Sequence, residues 1–307
     1  MPPITPECSA PDRNPMIWAK RDADAIDSGI TIQKDVTRLE RGCPALLTNV
    51  ADQPWTMDRI TSLLPPDHLL KNVFHSPTSS TFKYARQSTS KCSMTLQEFN
   101  SRSANESLYL YGEPLPPPLT SLLPSLPFLE QESLTSTLLW VSAQSTCSPL
   151  HYDLCDGVLV QMAGIKRVLL ISPDVIPDAA MPDVQDQYDR QSLISDVHKP
   201  DPIQFAAFRK HSAVQAVIGP GDALYIPYGW LHQVEAEADP MSISLTFRWD
   251  PFEAEIRAAA MAMRFLFDQG LSIDAIDSVG RECLASTIPE SVRPGIIARI
   301  LSTFCRK

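Results

Sequence analysis

The chain has 307 residues, 44% of them hydrophobic, and carries 26 basic against 36 acidic side chains for a formal charge of −10. That is enough chain and enough apolar material for one large domain or two small ones with a buried core. The acidic balance and the lack of a basic run argue against a nucleic-acid partner and lean towards a basic peptide or protein, and no apolar run reaches membrane-spanning length.

In chain order, residues 1–14 read as a loose tail, opening on the polar Met1-Pro2-Pro3-Ile4, in which no secretory leader is visible. Residues 15–130 read as an N-terminal α/β region packing on a later core. Pro44–Val50 is a buried strand. Met57–Leu64 and Pro66–Leu70 have helical character broken at Pro65-Pro66, and Phe74 and Phe82–Tyr84 suggest strands. Thr95, with Glu98 three residues on, opens a helix through a capping box, and Leu108–Tyr111 is an aromatic strand. Glu113–Pro127 holds six prolines and reads as an extended connector.

Residues 131–250 read as the core. Leu138–Ser142 is a strand, and Gly157–Met162 and Val168–Ile171 are strands joined by an Ala163-Gly164 turn. Pro173–Pro202 is a long polar insert, either a substrate-facing loop or a surface elaboration. Phe205 and Phe208 begin a helix, and Val214–Ile218 leads to a Gly219-Pro220-Gly221-Asp222 turn and the strand Ala223–Ile226. Met241–Trp249 alternates polar and apolar residues as a half-buried strand does. Residues 251–307 read as helical, with Glu253–Gln269 ended by Gly270 and a second helix over Val292–Phe304 that presents Ile297, Ile300, Leu301 and Phe304 on one face; these helices either cap the core or form a homodimer interface.

Two stretches carry chemistry. In Cys147-Ser148-Pro149-Leu150-His151-Tyr152-Asp153, His151 and Asp153 are two apart, so an extended chain offers an imidazole and a carboxylate on one face. His232, in Trp230-Leu231-His232, is the natural third ligand. Two histidines and a carboxylate suit non-haem Fe(II) with open positions for O2 chemistry. A His-x-Asp pair occurs by chance in many chains; the apolar strands around this one sharpen it. Lys166, at the start of a strand, requires a partner if buried, for which a carboxylate-bearing ligand serves; the alternative is that it snorkels to the rim or pairs with an ordinary acidic side chain. Trp230 packs in the core or walls the pocket, and Tyr111 and Arg248 are further pocket candidates.

The pattern Ser-Pro-x-His-x-Asp, then Gly-x-Lys-Arg, then Pro-Gly-Asp-x-Leu-x-Ile-Pro-x-x-Trp-x-His resembles the JmjC/cupin-like 2-oxoglutarate oxygenases, with the asparaginyl-hydroxylase type as the closest flavour. The resemblance runs from about Pro44 to Trp249. It implies a mainly β fold with flanking helices: a double-stranded β-helix (jelly-roll) core with a C-terminal helical segment. It further implies Fe(II) on His151, Asp153 and His232, and 2-oxoglutarate with its distal carboxylate on Lys166, helped by Ser148 and by Tyr109, for which Tyr111 is the rival. Thr246 falls near the metal where the family often has Asn, and Gly157 stands where many hydroxylases have another Asn. Both departures indicate a divergent branch. Asp rather than Glu in the ligand motif leans towards hydroxylation, and the substrate is expected to be a protein side chain or a small metabolite. The competing readings are a metal-binding cupin that has lost turnover and acts as an interaction module, a different metal-cupin chemistry, and a tRNA- or histone-directed oxygenase.

Seven scattered cysteines without a Cys-x-x-Cys predict free thiols and a reducing compartment, cytoplasmic or nuclear, rather than a zinc knuckle or disulfide framework.

Overall fold

Short runs of alternating or fully apolar residues, punctuated by Gly and Pro, cannot bury their faces as isolated strands and must pair and stack. The computed structural model describes residues 31–33, 39, 42–77, 81–82, 89–129, 134–182, 190–237, 241–249 and 252–284, together with 294, 297, 298 and 301; side chains within 31–33 and 252–258 are outside this description. The chain divides into two compact units, Met1–Trp249 and Asp250–Lys307.

In the first unit the strands are β1 (Thr31–Gln33), β2 (Ala45–Leu47), β3 (Leu69–His75), β4 (Ser90–Thr95), β5 (Leu108–Pro114), β6 (Leu134–Ser142), β7 (Thr146–His151), β8 (Asp156–Ala163), β9 (Lys166–Ile171), β10 (Val214–Ile218), β11 (Ala223–Ile226), β12 (Leu231–Ala236) and β13 (Ser242–Trp249). They form a nine-stranded sheet in the order β1-β2-β11-β8-β13-β6-β5-β3-β4 and a four-stranded sheet in the order β10-β9-β12-β7. Apart from the parallel β1–β2 pair, the ladders between named strands are antiparallel, and this is a jelly-roll core with the two sheets face to face.

Each outer face of this sandwich is covered. On the large sheet, Val158, Val160, Leu245 and Phe247 pack with Trp55, Ile60 and Phe99 from α1 (Met57–Leu63), α2 (Leu96–Arg102) and their flanks. On the small sheet, Leu150, Ile171 and Leu231 pack with Val175, Ala179, Ile194, Val197 and Phe208. The described part of the 173–202 insert is thus a second, packed layer on the face opposite His232. Between the sheets lie Leu159, Val168, Leu170, Ile218 and Leu224. Burying such side chains contributes about 1.5–3 kcal/mol each.

The capping box of α2 is present: Glu98 N–H donates to Thr95 Oγ1 at 3.2 Å and Thr95 N–H to Glu98 Oε2 at 2.7 Å. Several expectations need correction. The helical character read over Pro66–Leu70 gives way to β3 from Leu69, because pairing with β4 and β5 outweighs local propensity. The proline run is not simply extended: Pro117–Leu122 and Pro127–Leu129 are 3-10 turns, with Pro at the first positions where no N–H is needed. Phe208–Lys210 is a single 3-10 turn. Of Phe82–Tyr84, Thr81 bridges Cys147 and Phe82 is buried, while 83 and 84 lie outside the described residues. Cys92, Cys147, Cys155 and Cys283 are in no disulfide, but Cys43 is disulfide-bonded, against the expectation of free thiols throughout.

In the second unit, α3 (Phe252–Asp268) is followed by Gly270 at φ +81°, and α4 (Ile273–Cys283), which the sequence reading did not anticipate, starts on the Ser272 cap. Ala259, Met263, Ile276, Leu284 and Ile297 form its core. Most of the helix expected over 292–304 lies outside the described residues. Among the described residues, no helix is long and apolar enough to cross a membrane.

Candidate metal centre

β12 pairs with both β7 and β9, and His232 stands directly opposite His151. The two imidazoles lie with ring centroids 4.1 Å apart. One strand then steps from His232 to Val234 while its partner steps from His151 to Ser148. That is a bulge with one extra residue on β7, located at Pro149–Leu150. It turns His151 and Ser148 to the same side while Leu150 enters the outer core, and it is a position where a proline is tolerated in a sheet.

Both rings are held by nearby backbone. His151 Nδ1–H donates to the Pro149 carbonyl at 2.8 Å and His232 Nδ1–H to the Trp230 carbonyl at 2.9 Å. A carbonyl only accepts, so the proton sits on Nδ1 and each Nε2 keeps its lone pair for a metal. Burial, with the neighbouring His151 imidazole, pushes His232 down to about 3. Burial also lowers His151. Both rings are therefore neutral near pH 7.

Asp153 follows β7, in a loop fastened to the 227–230 turn by Gly229 N–H on the Asp153 carbonyl (3.0 Å) and by Tyr228 N–H on Asp156 Oδ1 (2.7 Å). Its Oδ2 is 4.0 Å from His232 Nε2 and accepts from Arg248 Nη2 at 2.9 Å. Burial alone would raise this carboxyl, but the Arg248, His151, His232 and Arg190 charges hold it below its ordinary value. One ligand atom from each of His151, Asp153 and His232 lies within 4.8 Å of the others. Two neutral imidazoles and an ionised carboxylate fit a ferrous ion.

Residues 40–255 match the cupin-like domain family. The chain belongs to that family. This cupin-like domain is similar to tRNA wybutosine-synthesizing protein 5 of Gallus gallus (30% identity over 128 residues, 42% of this chain and 38% of the relative). It is also similar to Jumonji C domain-containing protein 5 of Drosophila melanogaster (33% over 115 residues, 36% and 27%) and to lysine-specific demethylase JMJ31 of Arabidopsis thaliana (28% over 125 residues, 40% and 22%). The matched segments thus span well under half the length of these relatives.

Lys166 opens β9 and crosses the interior of the cupin-like domain to β13, where Nζ donates to Ser244 Oγ at 2.5 Å. It is only 2% exposed, and among the described residues no carboxylate pairs with it. Burial pushes its ammonium down to about 7. Tyr109 and Ser148 share a hydrogen bond, and burial raises the Tyr109 phenol. Tyr111 and Trp140 complete this wall, with ring centroids 4.8 Å apart and the Lys166 ammonium 6.0 Å from the Trp140 ring. Trp140 Nε1 is buried with no hydrogen-bond partner among the described residues.

Ser244, Thr246 and Arg248 alternate on one face of β13 and so connect the two ends: Ser244 holds Lys166 and Arg248 holds Asp153, four residues or about 13 Å along the strand. Gly157, opposite Arg248, belongs to the same surface: a Cβ there would lie 3.8 Å from Thr246 Cγ2 and 3.9 Å from Arg248 Cγ. Trp230 packs on the inter-sheet cluster and donates its Nε1–H to the Gly42 carbonyl at 3.2 Å. Arg248, expected in the substrate pocket, is an ion-pair partner of a ligand carboxylate. Ser244 and Trp140 were missed by the sequence reading; for Ser244 the signal was its place two residues before Thr246 on the same strand.

Proposed function

We propose that this protein is an Fe(II)- and 2-oxoglutarate-dependent oxygenase that hydroxylates a C–H bond of a protein side chain or a small metabolite. The observation that carries the reading is Lys166, a buried ammonium hydrogen-bonded to a hydroxyl and, among the described residues, paired with no carboxylate, in the interior that also holds three convergent ligand atoms. A buried cation without an anion is costly, and a dicarboxylate cosubstrate supplies the missing charge-assisted hydrogen bond. Tyr109 and Ser148 offer hydroxyls at the same end, and Trp140 an unused N–H. His151, Asp153 and His232 would hold the iron, their imidazoles oriented by the Pro149 and Trp230 carbonyls. Iron and 2-oxoglutarate together supply oxidation of a C–H bond by O2, with succinate and CO2 as co-products. The apolar cluster between the sheets excludes water from that chemistry.

The relatives' names span tRNA modification and lysine demethylation, so the names alone do not choose a substrate. The net charge of −10 favours a protein or metabolite over tRNA. The deciding experiment supplies iron, ascorbate and 2-oxoglutarate without any prime substrate. Slow succinate formation is expected, together with thermal stabilisation by 2-oxoglutarate that disappears in Lys166→Ala. A protein that binds metal but forms no succinate would instead be an interaction module. Comparison of metabolites and peptides from cells with and without the protein, for a gain of one oxygen, then identifies the substrate.

A further inference from the structure

Arg248 poses a problem that the oxygenase reading leaves open. The oxygen that it occupies, Asp153 Oδ2, is the one 4.0 Å from His232 Nε2, and so faces the point where the three ligands converge. A guanidinium therefore sits on a metal ligand. Its stem is fixed to the middle of the large sheet, since β13 pairs with both β6 and β8, and it cannot leave the neighbourhood. Its Nε is buried and, among the described residues, has no hydrogen-bond partner even now. A divalent cation on Oδ2 shares that oxygen with Nη2 and repels the guanidinium charge 2.9 Å away, so the Nη2 hydrogen bond weakens. Guanidinium donors stranded at a half-buried site are unfavourable until an acceptor arrives.

The local charge points the same way. Besides the two imidazoles, the charges that act on Asp153 are Arg248 and Arg190, both positive. In the loaded site iron and the keto-acid dianion cancel, and Asp153 offsets one of the two cations Lys166 and Arg248. One positive charge is left over. The missing Cβ at Gly157 leaves room beside the Arg248 stem.

We infer that metal loading releases Arg248 from Asp153 and makes it the docking group for an oxyanion, carboxylate or phosphate, carried by the substrate close to the carbon that reacts. This rests on the oxygenase reading and narrows its substrate to an anionic one. Arg248 is then a specificity-determining residue rather than a structural tie.

The test needs no turnover. Phenylglyoxal, which modifies free guanidinium groups, is applied to the intact protein under three conditions, and labelling of Arg248 is read by peptide mass spectrometry. The expected result is low labelling without metal, several-fold higher labelling with Mn2+ and 2-oxoglutarate, and renewed protection on adding millimolar acetate or inorganic phosphate but not acetamide. Whichever anion protects better identifies the oxyanion class. Labelling that Mn2+ leaves unchanged, or that neither anion suppresses, overturns the inference. Failure of Mn2+ or 2-oxoglutarate to bind at all, read separately by calorimetry, counts against the oxygenase reading instead. As a second measurement, Arg248→Met frees the carboxylate from competition with a partly exposed ion pair and is expected to tighten Mn2+ binding several-fold; an unchanged or weaker affinity means that Arg248 supports the ligand rather than competing for it, and overturns the inference.

Discussion

Asp153, at the metal end of the interior, has a guanidinium 2.9 Å away, whereas Lys166, at the other end, donates to the Ser244 hydroxyl and meets no carboxylate among the described residues. Both charged groups reach the same face of β13. Asp153 is about a quarter exposed and its charge is answered within the chain; Lys166 is almost wholly enclosed and its charge is not. An enclosed charge without a counter-ion is tolerated when something outside the chain supplies one, so the more buried end is the one that depends on a ligand.

The largest expected effect breaks the metal end. His151→Ala or Asp153→Ala removes one of three ligands and is expected to abolish both Mn2+ binding by calorimetry and succinate formation. Asp153→Ala also strands Arg248, with an added loss of about 1–3 kcal/mol in a denaturant titration. Next comes Lys166→Met. It should weaken 2-oxoglutarate binding by roughly ten- to a hundredfold, the worth of a charge-assisted hydrogen bond, while raising the melting temperature of the ligand-free protein. Opposite signs for ligand binding and stability distinguish this end from the Asp153 end, where both fall.

The pH dependence sharpens the same contrast. The Lys166 ammonium titrates near 7 in the folded chain against 10.5 in the unfolded one, so between those values the unfolded chain binds more protons and stability rises with pH. Above pH 7, binding of 2-oxoglutarate should draw a proton onto Lys166, visible as a buffer-dependent heat that Lys166→Met abolishes. At Asp153 the depressed carboxyl contributes stability that is lost as pH falls through its folded value. The smallest effect is a control remote from both ends: Thr95→Ala removes the α2 cap and should cost about 1 kcal/mol in stability with no change in Mn2+ affinity.

Local chemistry was legible in the sequence. The His-x-Asp pair, the Thr95–Glu98 box, the start of α1 and the turn before β11 each depend on residues a few positions apart. What was not legible depends on distance. The Arg248–Asp153 pair spans 95 positions and the Lys166–Ser244 bond 78, and nothing in a strand pattern states which residues meet across a sandwich. The insert looked polar and loop-like because its apolar anchors, Val175, Ile194 and Val197, are widely spaced; they become a core only against Leu150 and Leu231 of the small sheet. β3 was misread at its start because Leu69 and Leu70 follow a helix and carry no alternation of their own.

The carbonyls that hold the two rings belong to Pro149 and Trp230, each two positions upstream of the histidine it serves. Ring direction is therefore inherited from the immediate chain and is complete before any cofactor arrives. Chelation followed by re-addition of metal should restore the protein without a passage through denaturant, because nothing in the cradle has to be rebuilt.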